Sequence, residues 1–310
     1  MKTTIFRILS CSLLLAVHAG CSPDASLPDR ESAIPPSAVK MLPANDPQPP
    51  RLLSQEFSAP VPLPPPINSA GAEDSPFITS DGNTLYFFFT PDVSIQAGQQ
   101  LTDGVSGIYV STKQAGVWTK PQRVILQDAG KLALDGCEFV LGETMWFCSA
   151  REGYEGIHWL TATNRSGTWQ DWRIADFDPA FEVGELHMDA NATSLYFASR
   201  RAGGLGGLDI WTSAGAGGAW DQPVNLASVN TPDDEGWPAL SPDGQELWFA
   251  RNWGIWRSLR SAEGWSQPEL IISPLAGEPS LDAAGNLYFV HHYLVDNKMI
   301  EADIYYAARN

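Results

Sequence analysis

The chain has 310 residues, and its 36 acidic against 19 basic side chains give a formal net charge of −17. No Lys/Arg cluster breaks that charge, which argues against nucleic-acid binding, since phosphate contacts need a basic face. The acidic balance favours solubility and repulsion from anionic head groups.

Lys2 and Arg7 precede a mostly apolar stretch, residues 8–17, too short to span a bilayer as a mature helix. It ends in Val17-His18-Ala19-Gly20-Cys21-Ser22. This is similar to a bacterial lipoprotein leader, so residues 1–20 are expected to be a signal peptide and Cys21 the lipidated mature N-terminus. His18 departs from the leucine-like residue usual there. Ordinary cleavage after Ala19 is the alternative, and both readings export the protein. Ser22 in place of aspartate implies, by the same resemblance, the outer membrane, facing the periplasm. Membrane contact is expected through the lipid anchor only.

Residues 21–53 hold Pro23, Pro28, Pro35, Pro36, Pro43, Pro47, Pro49 and Pro50 among small and polar residues. Proline without apolar periodicity predicts an extended, core-free linker.

From residue 54 onward the chain repeats. An isoleucine is followed at once by a ring in Ile108-Tyr109, Ile157-His158, Ile210-Trp211, Ile255-Trp256 and Ile304-Tyr305. Trp118, Trp169, Trp220 and Trp265 follow ten to twelve residues after the first four isoleucines. The fifth lacks one, and Phe57-Ser58-Ala59-Pro60 near the other end echoes Trp118-Thr119-Lys120-Pro121. Ahead of each pair stands an apolar triplet: Leu85-Tyr86-Phe87, Met145-Trp146-Phe147, Leu195-Tyr196-Phe197, Leu247-Trp248-Phe249 and Leu287-Tyr288-Phe289. Turns such as Ser80-Asp81-Gly82 and Pro242-Asp243-Gly244 separate the triplets from an inner strand. The Trp-x-x-Pro ending suits an outermost strand, where proline is tolerated. No sustained helical period occurs after the leader. Residues 54–310 are therefore predicted to be all-β: a five-bladed β-propeller of four-stranded antiparallel blades, the last blade closed by an N-terminal strand. The aromatics read first as packing between blades. Trp159, Trp172, Trp237 and Trp253 fall off register, and Trp237 stands where a channel mouth would be.

Cys137 and Cys148 flank Leu141-Gly142-Glu143-Thr144. If Gly142-Glu143 is a two-residue turn, 141 faces 144 and 137 faces 148. An exported protein then permits a disulfide, and two buried thiols are the alternative.

The stretch from Ser199 to Trp211, with Arg200, Arg201, Gly203, Gly204, Gly206, Gly207 and Asp209, resembles the WD40-like propeller repeat of bacterial exported proteins, which also builds the propeller domain of the Tol-Pal translocation protein. Asn230-Thr231-Pro232-Asp233-Asp234-Glu235 followed by Ser241-Pro242-Asp243-Gly244 matches the start of the next blade in that family. The resemblance covers about residues 55–310 and weakens in the second repeat. It implies a propeller in the cell envelope and does not imply one activity.

Alignment on the inner-strand proline, or its substitute, places Ser75, Glu138, Glu185, Trp237 and Glu278 at one level. Glu138, Glu185 and Glu278 converging on an axis would suit a cation, or acid and base work on a glycoside. Acidic side chains bonded to neighbouring backbone amides are the plainer reading. His187, two residues after Glu185, completes the candidate ligand-binding set. One His beside one Glu is no metal set, which usually needs three or four ligands. Neighbours His291 and His292 face opposite sides of a strand, and His158 is expected in the core. No phosphate loop, nucleophile elbow or sialidase Asp-box is present. Neither metal nor cofactor is expected, nor any catalytic residue. The expectation is a monomeric, non-catalytic binding or scaffold module for an envelope protein or glycan. The alternative is a glycan-binding or glycoside-hydrolysing propeller that uses carboxylates at the channel mouth.

Overall fold

A computed structural model describes residues 28–175, 184–216 and 219–310. The leader and Cys21 lie outside these residues. The described chain is mostly β, in several antiparallel sheets that resemble propeller blades.

Each repeat contributes an inner hairpin and a third strand. The fourth shows the pattern: Glu235–Leu240, Glu246–Arg251, Gly254–Ser261 and Glu269–Ser273 pair in succession. Its middle strand is buried throughout because packed side chains cover both of its faces. Gly244, at φ +70°, lets the 241–244 turn close, and Asp243 accepts hydrogen bonds from Ser241 Oγ and the Gln245 amide. Gly142-Glu143 does form a two-residue turn, with Leu141 opposite Thr144.

Five apolar clusters lie between consecutive repeats. Tyr86 and Ile108 pack with Phe147 and Leu160. Phe139 and Trp159 pack with Phe197 and Trp211. Tyr196 and Ile210 meet Phe249 and Trp265, and Trp248 and Ile255 meet Phe289 and Tyr305. The remaining cluster joins Phe87 and Tyr109 of the first repeat to Tyr288 and Ile304 of the last.

The segment before the first repeat runs along the last strand, Lys298–Ala307. Val61 and Pro62 pair with Tyr306 and Tyr305, and Phe57 bridges Arg309. Phe57 is buried with its ring edge-on to Trp248 at 5.7 Å. Asn68 exchanges two hydrogen bonds with the backbone of Ile304, at 2.9 and 3.0 Å. Asn230 does the same to Ile210, at 2.8 and 2.9 Å.

Two sequence expectations change. Ile157 is 55 % exposed, and His158 is only half-buried, with Nε2 2.9 Å from Glu155 O. Leu160, not His158, stands opposite Phe147, so Trp159-Leu160 fills the place of the Ile-ring pair. The shift is two residues, which keeps the same faces inward and hides it from pattern reading.

The expected core-free linker also fails from residue 30 onward. Arg30 is 3 % exposed, donates to Pro66 O and Ile67 O at 2.7 and 2.9 Å, and pairs with Glu73 at 3.3 Å. Lys40 bonds Glu301 and Asp303, Asp46 bonds His291 at 2.9 Å, and Arg51–Leu52 adds a strand to the fourth repeat's sheet. Proline denies this segment a regular ladder but leaves its charged side chains free to fill polar sites on the β-sheets.

Candidate functional site

The inner strands place the candidate side chains. Pairing slips at the same point in four of them: between Asp74 and Phe77, Gly136 and Phe139, Gly236 and Ala239, and Gly277 and Ser280. The first residue inside each bulge has positive φ: Ser75 at +47°, Cys137 at +56°, Trp237 at +53° and Glu278 at +55°. A non-glycine residue held there is strained, and bulges of this kind re-aim a side chain beside functional sites. His187 stands opposite Tyr196, as Phe77 does opposite Tyr86, which puts Glu185 at the equivalent place in the third repeat.

The predicted level is therefore correct for Ser75, Glu185, Trp237 and Glu278 and wrong by one for Glu138, because Cys137 occupies the second repeat's bulge. Glu138 is nonetheless buried at 6 % exposure, and neither of its carboxyl oxygens has a hydrogen-bond partner. Burial pushes its carboxyl well above the usual range, and the charges of Glu185 and Asp74 add to that. Glu185 is pushed up to about 7, mainly by burial, with Asp74 again raising it and hydrogen bonds from Cys137 and Trp237 opposing.

Glu278 accepts the Ser75 amide at 2.8 Å and Ser75 Oγ at 3.0 Å on one oxygen. Burial, then the adjacent Asp74, holds its carboxyl well above normal. Asp74, Glu278 and His292 bring one ligand atom each within 4.8 Å of one another. His292 is pushed down by burial, and its ring meets Trp253 edge-on at 5.1 Å. His291 points elsewhere, with Nδ1 3.1 Å from Leu275 O and Nε2 on Asp46, so the two histidines do face opposite ways.

His187 does not join this group. Its ring packs on Phe139 at 4.6 Å, its Nδ1 is 2.9 Å from Met188 O, and burial lowers its pKa to about 4. Cys137 and Cys148 are free thiols, not the expected disulfide. The bulge puts Gly136, rather than Cys137, opposite Cys148. Contact with Cys148 and burial push the Cys137 thiol up.

Sequence reasoning missed Asp74 and set His292 aside with its neighbour His291. A signal existed for Asp74: the residue before each bulge is glycine in four repeats, Gly136, Gly184, Gly236 and Gly277, and aspartate in the first. A Cβ at Gly236 would sit 3.1 Å from Leu208 and one at Gly184 3.2 Å from the Ala198 carbonyl oxygen, so glycine is the packing choice and Asp74 the exception. Nothing local said which of the two histidines would meet the carboxyls.

A cavity of about 550 Å³ lies away from this cluster, under the N-terminal segment between Lys40, Met41, Pro62, Pro66, Lys120 and Asp303. The convergent acid groups sit instead at the inner strands, and they mark the candidate site. Buried carboxyls held above their usual range beside a histidine held below its own are equipment for proton transfer. The expectation of a non-catalytic scaffold for protein binding is corrected on this finding.

No protein-family model matches the sequence, and no curated protein matches it. Solved structures are similar in outline. A gluconolactonase from Xanthomonas campestris shares 13% identity over 84% of this chain and 95% of its own, with a TM-score of 0.47. An endo-arabinase from Bacteroides thetaiotaomicron shares 14% over 76% and 93%, at 0.47. A putative TolB from Agrobacterium tumefaciens shares 12% over 77% and 91%, at 0.40. At that distance the likeness assigns neither a family nor an activity.

Proposed function

We propose that this chain is a hydrolase acting on glycosidic bonds at the inner strands of a closed five-bladed propeller of the WD40-like exported class. The observation that carries the activity is the convergence of Asp74, Glu278 and His292 within 4.8 Å, with Glu185 and Glu138 in electrostatic reach. Closure is supported by the apolar cluster joining first and last repeats and by the pairing of Val61-Pro62 with Tyr306-Tyr305.

Glycoside hydrolysis needs one carboxyl that gives a proton to the leaving oxygen and a second group that prepares the attacking water. Glu185, half-buried and pushed up to about 7 by that burial, is the proton donor. Trp237 holds it by a hydrogen bond and, with half-buried Trp253, offers flat ring faces for a sugar. The group formed by Asp74, Glu278 and His292 holds the attacking water and receives its proton.

The test is hydrolysis of a panel of aryl and alkyl glycosides by the purified protein. Glu185→Gln should lower kcat about 10²–10⁴-fold. The loss should be greater for alkyl leaving groups, which need the proton more. Activity should fall as pH rises through about 7, because the acid must be protonated. Absence of hydrolysis across the panel, or full activity in the variant, removes the reading. The exported location and the Cys21 anchor belong to the same proposal, and mass spectrometry of the native N-terminus tests them.

A further inference from the structure

We propose that Asp74, Glu278 and His292 form a binding site for one divalent transition-metal ion, zinc by donor type. Three different strands supply the donors: Ala72–Ile78, Ala276–Leu281 and Leu287–Val295. Their ligand atoms already lie within 4.8 Å of one another. Ligands at zinc bond lengths of about 2.0–2.2 Å stand about 3.4 Å apart in a tetrahedron. Side-chain closure of about an ångström would therefore complete the set.

A second observation points the same way. His292 is 5 % exposed, and its Nδ1 is buried without a hydrogen-bond partner. Both oxygens of Glu138, whose carboxyl is in electrostatic reach of Asp74, are also buried and partnerless. A buried polar atom left unmatched loses its hydration for nothing, and a cation restores a partner to imidazole nitrogen.

Neighbouring groups hold two of the donors. Ser75 fixes one Glu278 oxygen with two hydrogen bonds. The Trp253 ring packs edge-on against the His292 ring at 5.1 Å. The donor set selects the metal class. Calcium takes six to eight oxygens, whereas one imidazole and two carboxylates suit zinc and leave a fourth position open.

The full mature chain, stripped with a chelator, would be titrated with ZnCl₂ by calorimetry and followed by thermal melting. One equivalent should bind per chain and raise Tm. Asp74→Asn, Glu278→Gln and His292→Gln should each weaken binding at least about tenfold. Asp243→Asn, in a turn remote from the cluster, should leave it unchanged. Absence of binding at millimolar zinc, or equal binding in all three variants, overturns the proposal. If the variants fail to fold, Co²⁺ added to the native chain decides: the intense visible bands of four-coordinate cobalt support the site, and their absence rejects it. None of these readouts uses a substrate. Zinc bound without glycoside hydrolysis leaves the site standing and removes the hydrolase, and hydrolysis by a chain that binds no zinc does the reverse.

Discussion

In the fourth repeat, buried Glu235 accepts bonds from the Thr231 amide and hydroxyl and from Arg251 Nε, the last at 2.7 Å. Arg251 stacks over Phe249 and Trp256 and donates to Val229 O. The first repeat has the same frame, with Ser69 bonding Glu73 through its amide and hydroxyl. But Phe89 stands opposite Glu73 where Arg251 stands opposite Glu235. The missing guanidinium comes from Arg30, which stacks over Phe89, Phe87 and Tyr109 and bonds two carbonyls. One repeat is complete in its own sequence. The other is completed by a segment with no strand pattern. A buried acid must be met by something, and the chain supplies it from whatever segment reaches it.

Deleting residues 28–50 should break the comparison most severely. A spacer would be removable at no cost. Here the deletion strips Glu73, Glu301, Asp303 and His291 of their partners, and urea unfolding should show a loss of about 5 kcal/mol or more.

Single changes sharpen it. Arg30→Ala and Arg251→Ala should cost similar amounts, about 3–5 kcal/mol each by urea melts, because each strands a buried carboxylate. Adding Glu73→Gln to Arg30→Ala should recover part of the loss, while Glu235→Gln should do so only for Arg251→Ala. Phe57→Ala should cost about 3–5 kcal/mol for the cavity it leaves beside Trp248.

The pH dependence gives a smaller effect. Burial lifts Glu73, Glu185 and Glu301 to about 7. Their folded pKa exceeds the unfolded value, so the folded chain binds more protons between about 4.5 and 7. Stability is then highest near the lower limit and falls as pH rises through 7. Tm at pH 5.5 should exceed Tm at pH 8 by about 5 °C. Glu56, held near 2 by Arg257 and Arg309, works oppositely but only below about pH 4.5.

The smallest effect tests the shifted pair of the second repeat. Ile157→Ala should change stability by less than about 0.5 kcal/mol, while Leu160→Ala should cost about 2–5 kcal/mol. Equal costs would restore Ile157 to the core.

The sequence by itself determined the β class, the repeat, the turn at Gly142-Glu143 and the strand-like return of residues 57–62. These follow from alternation and turn chemistry, which act between near neighbours in the chain. Tertiary structure decided what depends on register and on distant partners. A bulge is one residue that no periodicity records, and it put Cys137 rather than Glu138 at the level shared by Ser75, Trp237 and Glu278 and set Gly136 opposite Cys148. Asp74 and His292 meet although more than 200 positions separate them. Arg30 looked like one charge in a linker because its meaning lies in Glu73 and Phe89, whose need for a cation appears only when the sheet buries them.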